Sequence, residues 1–241
     1  MHIRLISPVT VDLRSEDYLR EMERRFGAAL SMVSVEKGPA SIESEFDRVL
    51  SGPETVRQAR IAEAEGCDAV IIDCMMDPAL AACREAVSIP VLGPCETGMH
   101  ISAMTGHRFS VIALLQRQDF IYRMLADQYG LAGRLASVRG IGIPLLELDR
   151  DANHLRHCMI EAAKKAAIVD GADTLLLGCT ALENGARILT DALADEGVDV
   201  VVIEALPPTI GLAATLIRSG LAHGKGAFPM PPAKATPGYA A

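Results

Sequence analysis

Short runs of aliphatic residues alternate along the chain with longer amphipathic stretches. The short runs predict buried β-strands, and the stretches between them predict helices. The predicted strands are 2–7, 31–35, 68–73, 90–93, 108–114, 136–139, 173–178 and 199–204. The predicted helices are 15–26, 53–65, 78–87, 98–105, 117–129, 151–170, 183–196 and 207–220. Because strands and helices alternate, the pattern predicts βαβ units and mainly parallel sheets that are covered on both faces.

The chain also repeats itself. Residues 66–74 read GCDAVIIDC and residues 171–179 read GADTLLLGC, which places two cysteines 179 − 74 = 105 residues apart. The stretch HIRLIS (2–7) matches RFSVIA (108–113) at an offset of 106 residues. We therefore predict two pseudo-symmetric α/β domains of the Rossmann-like (flavodoxin-like) kind, each with a mainly parallel sheet, facing a shared cleft.

The repeat also predicts where the domains divide. We expect residues 1–96 with 207–241 to form the first α/β domain and residues 97–206 to form the second. The last predicted helix follows the second half and is expected to cross back to the first. The tail, 224–241, is rich in glycine, proline and alanine, so its end is expected to be mobile.

Composition narrows the classes of function. The formal net charge of −8 argues against an electrostatic grip on nucleic acid. We see no basic run that would anchor the chain to a membrane surface, and no window approaches the ~18 apolar residues that suggest a membrane span. The first residues read as a strand leading into a charged helix and not as a signal peptide. We expect a cytoplasmic protein that binds a small molecule, and we further expect a homo-oligomer.

Two of the cysteines differ from the rest by their position. The six cysteines are Cys67, Cys74, Cys83, Cys95, Cys158 and Cys179. A long cytosolic chain keeps its thiols reduced, and the absence of a C-x-x-C pair argues against structural zinc, so most of them are expected to be small core residues. Cys74 and Cys179, however, follow matched strands, and ligands of parallel sheets bind beyond the carboxyl ends of strands.

Signals for a helix start follow both of these cysteines. Asp77 is a plausible N-cap with Pro78 at the first helical position, and Thr180 and Glu183 have the spacing of a capping box. A thiol beside a helix N-terminus has its pKa lowered below about 8.5, because the helix dipole favours the thiolate. Taken singly, each cysteine is also compatible with plain core packing, but packing does not require the same residue at both symmetric points.

Two thiols on opposite sides of a ligand suit stereoinversion. One thiolate removes the proton from a carbon next to a carbonyl group, and the opposing thiol returns a proton to the other face. The reaction needs one base and one acid that exchange roles for the two enantiomers. It needs neither a metal nor a redox cofactor.

These features resemble the hydantoin and allantoin racemases of the aspartate/glutamate racemase superfamily. The matching segments are GPASIES (38–44), DCMMDPALAACREAVSIPVLG (73–93), ETGMH (96–100), RFSVI (108–112), DGADTLLLGC (170–179) and GLAHGKGAF (220–228). The resemblance implies that Cys74 and Cys179 are the catalytic acid and base. It also implies a cofactor-independent racemase, with C5 of a 5-substituted hydantoin as the expected reacting carbon.

The chain departs from that family at three points. It has SPVT (7–10) where these racemases usually have Asn-Pro-Asn-Thr, and Thr180 follows the second cysteine in place of Ala-Gly-Met. Ala113 and Leu114 stand where small polar residues are common, and Met75 and Met76 follow the first cysteine. These four residues predict a less polar pocket and a preference for bulky apolar 5-substituents. The departures concern the substrate more than the chemistry.

Small and polar residues beside the strand ends are candidate ligand contacts. The predicted substrate-binding residues are Ser7, Pro8, Thr10, Ser41, Met75, Thr97 and Thr180. The backbone amides of Met75 and Thr180 are predicted to bind a carbonyl oxygen as charge develops on it. Polar residues at such places are also common as plain turn residues.

Other motifs do not predict a cofactor. GIGIPLL (140–146) lacks the third glycine of a dinucleotide site, and GLAHGKGA (220–227) lacks the spacing of a phosphate loop. His154 and His157 alone would make an incomplete metal site, so a solvated helix face is expected there. The alternatives left open are a maleate-type cis-trans isomerase, an amino-acid racemase, a decarboxylase and a non-catalytic two-lobed binding module.

Overall fold

The computed structural model of the chain describes residues 1–11 and 14–235. The described residues form two compact units. Unit 1 is built from Met1–Ile42, Phe46–Pro94 and the described part of Pro207–Ala241, and unit 2 from Glu43–Glu45 and Cys95–Leu206. The end of the tail, which was expected to be mobile, lies outside the described residues.

Each unit contains one four-stranded parallel sheet. The strands are β1 (His2–Ser7), β2 (Ala29–Ser34), β3 (Ala69–Ile72), β4 (Val91–Leu92), β5 (Phe109–Ala113), β6 (Leu135–Gly140), β7 (Thr174–Leu177) and β8 (Val201–Ile203). Their order is β2-β1-β3-β4 in unit 1 and β6-β5-β7-β8 in unit 2. The two sheets thus have the same topology, and the α/β fold class predicted from the repeat is confirmed.

Helices connect the strands. They are α1 (Glu16–Phe26), α2 (Glu45–Ala64), α3 (Leu80–Ala86), α4 (Pro94–Thr105), α5 (Asp119–Gln128), α6 (Ala152–Lys164), α7 (Gly185–Ala194) and α8 (Leu206–Arg218). Parallel strands require such crossovers, because a tight turn cannot return the chain to the same end of the sheet. No helix within the described part of the chain is long and apolar enough to cross a lipid bilayer.

Strands β3 and β7 are buried along their whole length. All four residues of β3 and all four of β7 are buried, which explains why their sequences are continuous aliphatic runs without alternation. In unit 1, Leu5 of β1 lies opposite Ile71 of β3. In unit 2, Val111 of β5 lies opposite Leu176 of β7. The two registers fix which residues emerge at the carboxyl ends of the central strands.

Helix α2 begins well before its predicted start at residue 53. It runs from Glu45, so that Pro53 lies inside the helix. The predicted start would place Pro53 at the first helical position, which is where proline is most often tolerated. Here side chains bond the helix carbonyls around the proline instead, since Ser51 Oγ donates to Arg48 O (2.9 Å) and Thr55 Oγ1 to Ser51 O (2.8 Å).

The chain beyond unit 2 returns to unit 1. Arg218 at the end of α8 donates to Phe26 O (3.1 Å), at the end of α1. Further on, Lys225 Nζ donates to Arg84 O (2.8 Å) and also to Val87 O, which are carbonyls in the last turn of α3 and just beyond it. A lysine at this place satisfies carbonyls that have no partner within the helix. The GLAHGKGAF segment therefore has a structural role in holding α3.

Candidate active site

Cys74 lies just beyond the carboxyl end of β3. The strand ends at Ile72, and the amide of Asp73 still donates to Ile6 O of β1 (2.8 Å). The chain then turns, because Asp77 N donates back to Cys74 O (3.1 Å). The Cys74 side chain is half-buried. We call residues 74–79 the Cys74 loop.

Cys179 occupies the matched place in unit 2. Strand β7 ends at Leu177, Gly178 N donates to Ile112 O of β5 (2.8 Å), and Leu182 N donates to Cys179 O (3.3 Å). These are the same two backbone bonds as in unit 1, at the offsets of 105 and 106 residues seen in the sequence. Cys179 is also half-buried. We call residues 179–184 the Cys179 loop.

The helices after the two thiols begin later than the capping signals predicted. Helix α3 starts at Leu80 after Ala79 (φ 56°), and α7 starts at Gly185 after Asn184 (φ 60°). Neither residue before the helix makes a side-chain capping bond. The predicted N-cap at Asp77 and the predicted capping box at Thr180 are therefore wrong. In both loops the backbone first makes a turn, which is closed by the amide of the residue three positions after the cysteine.

A backbone amide does reach the first thiol. Met76 N–H donates to Cys74 Sγ at 3.5 Å. The neighbouring amide of Met75, which is predicted to bind a substrate carbonyl oxygen, is a different donor, and the Met75 side chain is buried at 2% exposure. A hydrogen bond from an amide to sulfur favours the charged form of the sulfur over the neutral form. The Cys74 thiol thus has an amide donor within its own loop, whereas a helix N-terminus was expected to supply such donors.

An ion pair lies directly beside Cys74. Arg14 Nε donates to Asp73 Oδ2 (2.9 Å) and Arg14 Nη2 to Asp73 Oδ1 (3.1 Å), and both side chains are completely excluded from water. The guanidinium also lies over the Tyr18 ring, 4.9 Å from its centroid. Sequence reasoning missed this pair. A carboxylate at the end of an aliphatic run was the visible signal, but its partner is 59 positions away.

The matched position in unit 2 has no charge. Gly178 stands where unit 1 has Asp73, and its carbonyl accepts a hydrogen bond from the buried Tyr122 hydroxyl (2.5 Å). A Cβ at residue 178 would lie 2.9 Å from both Ala113 Cα and Ile112 O, which is closer than real Cβ contacts. Close packing against β5 therefore requires glycine at this position.

The structure places four of the predicted substrate-binding residues on two joined segments of unit 1. Ser7 ends β1, next to the bond that holds Asp73, and its buried Oγ has no hydrogen-bond partner among the described residues. Pro8 follows it and is buried. Thr10 N donates to Pro39 O (3.1 Å), which links this segment to the one that carries the half-buried Ser41.

The remaining predicted residues differ in their surroundings. Met75 belongs to the Cys74 loop. Thr97 lies in the first turn of α4 and is buried at 5% exposure. Thr180 follows Cys179 and is half-buried. Within unit 2, Thr180 thus lies beside a candidate catalytic group, whereas Thr97 is fixed on a helix that precedes β5.

A cavity of about 390 Å³ in unit 2 adjoins the Cys179 loop. It lies between the first turns of α6 and α7, and its lining is mainly apolar. The lining residues are Leu148, Asp149, Ala152, Leu155, Arg156, Met159, Ala181, Leu182, Glu183, Asn184, Gly185 and Ile188. The cavity is therefore lined by the last four residues of the Cys179 loop, 181–184.

Two of the other four cysteines have surroundings that disfavour the thiolate. Burial raises the pKa of the Cys83 thiol to about 12, and burial also raises the pKa of Cys67. Cys95 is fully buried, and Cys158 lies half-buried on α6 with its sulfur 3.7 Å from His154 Nε2. His154 and His157 are both exposed, as a solvated helix face requires. Among residues 1–11 and 14–235, no three or more His, Cys, Asp or Glu side chains form a group that could hold a metal ion.

The sequence of the whole chain is similar to a known protein family. The Asp/Glu/Hydantoin racemase family matches residues 13–210. The hydantoin racemase of Pseudomonas sp. (strain NS671) is 32% identical over 222 residues, which cover 91% of this chain and 87% of the relative. The hydantoin racemase of Rhizobium meliloti is 31% identical over 242 residues, which cover 99% of this chain and 98% of the relative.

Structural comparison extends the likeness to solved folds. Allantoin racemase from Klebsiella pneumoniae has a TM-score of 0.89 at 30% identity, covering 98% of this chain and 96% of that one. Arylmalonate decarboxylase has a TM-score of 0.60 at 20% identity, covering 99% and 97%. At that level of identity, the second likeness concerns the fold alone.

Proposed function

Because the chain belongs to the Asp/Glu/Hydantoin racemase family and is a racemase, we propose that it inverts C5 of 5-substituted hydantoins by proton transfer between Cys74 and Cys179. The resemblance drawn from its motifs is confirmed, and the alternative of a non-catalytic binding module is set aside. Its cytoplasmic location, its assembly as a homo-oligomer and its independence of cofactors stay predictions.

The proposed reaction moves two protons and no electrons. One cysteine thiolate takes the proton from C5, and the electron pair left behind is shared with the neighbouring ring carbonyl. The other cysteine thiol then gives its proton to the opposite face of C5. After one turnover the two sulfurs have exchanged protonation states, and exchange with water restores the starting form.

The observation that carries the proposal is the matched placement of the two thiols. Both are half-buried, and they follow the matched strands β3 and β7. Each is the first residue of a loop in which its carbonyl accepts a hydrogen bond from the amide three residues later. The remaining cysteines lack this placement, and two of them have raised pKa values. A matched acid and base is what inversion in both directions requires.

The substituent on the hydantoin is proposed to be apolar. The residues predicted to make a less polar pocket, Ala113, Leu114, Met75 and Met76, are all buried apolar side chains. Arg14, the cation in the segment after β1, is engaged by Asp73 in a fully buried pair. An amino-acid substrate would need a cation for its carboxylate, whereas a neutral hydantoin ring does not.

A panel of enantiopure substrates followed by polarimetry tests the substrate. We expect loss of optical rotation with benzyl- and isobutyl-hydantoin, and slower loss with allantoin. Allantoin is the second candidate, because the similar structure from Klebsiella pneumoniae is an allantoin racemase. Faster turnover of allantoin would favour that candidate, and activity on free amino acids alone would contradict both.

Single Cys74→Ser and Cys179→Ser variants test the mechanism. A serine hydroxyl is too weak an acid to supply a base near neutral pH, so inversion should fall by about 10²–10⁴ in each variant. In D₂O each variant should still exchange the C5 proton of one enantiomer, with opposite preferences in the two variants. Cys158→Ser, which alters a half-buried thiol outside both loops, serves as the matched control. Inversion near the wild-type rate in either loop variant would rule out the two-thiol mechanism.

A further inference from the structure

We propose that Arg14 and Asp73 are positioning residues for Cys74, and that their ion pair makes the two thiols chemically unequal. The inference rests on the proposed function, since it concerns one of its two proton-transfer groups. It extends that function by assigning roles to two residues other than the thiols.

The pair joins three parts of unit 1 at the peptide that bears the thiol. Asp73 immediately precedes Cys74, and its amide is bonded to Ile6 O of β1. Its carboxylate receives two hydrogen bonds from Arg14, which follows β1 in the chain and lies over Tyr18 of α1. The backbone at residues 73 and 74 is thus held from the strand side and from the side-chain side together.

Burial of the Arg14–Asp73 ion pair has a cost in desolvation free energy. Both side chains are fully excluded from water, so their desolvation offsets much of their mutual attraction. Such a pair contributes little net stability compared with apolar residues of similar volume. Its geometry is nevertheless strict, because a two-pronged arginine–carboxylate contact tolerates little displacement. What the pair supplies here is a defined place for the residue that follows it.

In unit 2, the residue before the thiol is held without a charged side chain. Gly178 packs closely on β5, and the Tyr122 hydroxyl holds its carbonyl. The residue before each thiol is therefore fixed by a charged pair in one unit and by a neutral hydrogen bond in the other. Disturbing Asp73 should act on proton transfer at Cys74, whereas disturbing Tyr122 should act on proton transfer at Cys179.

Proton exchange in D₂O separates the two thiols, which inversion rates do not. The equilibrium constant between enantiomers is one, so a slower step in either half-reaction lowers kcat/KM for inversion equally in both directions. Exchange of the C5 proton without inversion uses one thiol: the thiolate removes the proton, the thiol takes deuterium from solvent, and deuterium returns to the same face. Each enantiomer therefore reports on one thiol.

The experiment compares Asp73→Asn with Tyr122→Phe, two changes that remove a charge or a hydroxyl at nearly constant volume. The reference is Cys74→Ser, which shows which enantiomer depends on Cys74. In Asp73→Asn we expect exchange of that enantiomer to fall about tenfold to 10²-fold, the range expected when a reacting group is displaced slightly. Exchange of the other enantiomer should stay within about twofold, and Tyr122→Phe should show the reverse pattern.

Two further measurements keep the test decisive. If Asp73→Asn fails to fold, the double variant Arg14→Met/Asp73→Leu replaces both charges by apolar groups, and it should fold and show the same skew. Equal loss of exchange for both enantiomers, or no loss, in a folded variant overturns the inference. If Cys74→Ser itself shows no enantiomer preference, the two-thiol proposal fails first, and the two failures are thereby distinguished.

Discussion

At the scale of single residues, exposure to solvent divides the cysteines into two groups. Cys67, Cys83 and Cys95 are buried, whereas Cys158 and the two thiols that begin the loops are half-buried. Buried thiols in apolar surroundings are inert, because both access and ionisation are lost. Exposure alone therefore separates three inert thiols from three accessible ones, and two of the accessible thiols, Cys74 and Cys179, follow the end of a strand.

Alkylation with iodoacetamide at pH 8 should show this division. With a pKa of about 12, Cys83 has at pH 8 a thiolate fraction about two-thousandfold below that of a thiol with the reference value near 8.5. Peptide mass spectrometry should find Cys74 and Cys179 modified first and Cys83 unmodified until the chain unfolds. A substrate that binds at the thiols should protect both of them. Modification of Cys83 ahead of the loop thiols would contradict the expected order.

At the scale of elements, the aliphatic runs predicted the strands well because a strand covered on both faces has few alternatives. The starts of the helices were less predictable. Asp77 carries an N-cap signal, yet α3 begins only at Leu80. The residue before it, Ala79, has φ 56°, a conformation that alanine seldom adopts. Local spacing does not reveal a turn that is closed by backbone bonds.

For the candidate site, the sequence repeat indicated both thiols but neither of the groups that hold them. The Arg14–Asp73 pair joins residues that are 59 positions apart, and the Tyr122–Gly178 bond spans 56 positions. Such contacts depend on how the crossovers bring helices and loops to the strand ends. A pattern with a period of two or of 3.6 residues contains no information about them.

An ion pair between elements of unit 2 gives a pH-dependent contribution to stability. Arg139 Nε of β6 donates to Asp170 Oδ2 (2.7 Å), and this guanidinium holds the pKa of Asp170 below its usual value. A carboxylate whose pKa is lowered on folding stabilises the protein above its unfolded pKa, about 3.9, and this contribution is lost as the pH falls further. The pair ties β6 to the end of the crossover that leads to β7.

Asp170→Asn should therefore lower the free energy of unfolding by about 1–2 kcal/mol at pH 7. Urea unfolding at pH 7 and at pH 3.5 measures the difference, which should narrow at the lower pH. Asp127→Asn, at an exposed position on α5, is the matched control and should change stability little at either pH. A difference for Asp170→Asn that is the same at both pH values would show that the charge is not responsible.

At the scale of the whole molecule, the proposed mechanism demands that the two thiols meet one carbon atom from opposite sides. Each sulfur must approach that carbon to about 3.5 Å, so the two sulfurs should lie roughly 7–8 Å apart in the reacting state. A bifunctional alkylating reagent of matching length should join Cys74 to Cys179 within one chain. Mass spectrometry identifies the linked peptides, and bound substrate should prevent the link. If only reagents longer than about 15 Å join the two residues, the two-base mechanism is excluded.

The return of α8 to unit 1 determines the order in which the protein is completed during synthesis. A ribosome adds about 5–20 residues per second, so the chain folds while it emerges. Unit 2 has its whole sheet once Leu206 is made. All four strands of unit 1 have been made by residue 92, but α8 and Lys225, which pack on this unit, are made more than a hundred residues later. The half of the protein that is made first is the half that is finished last.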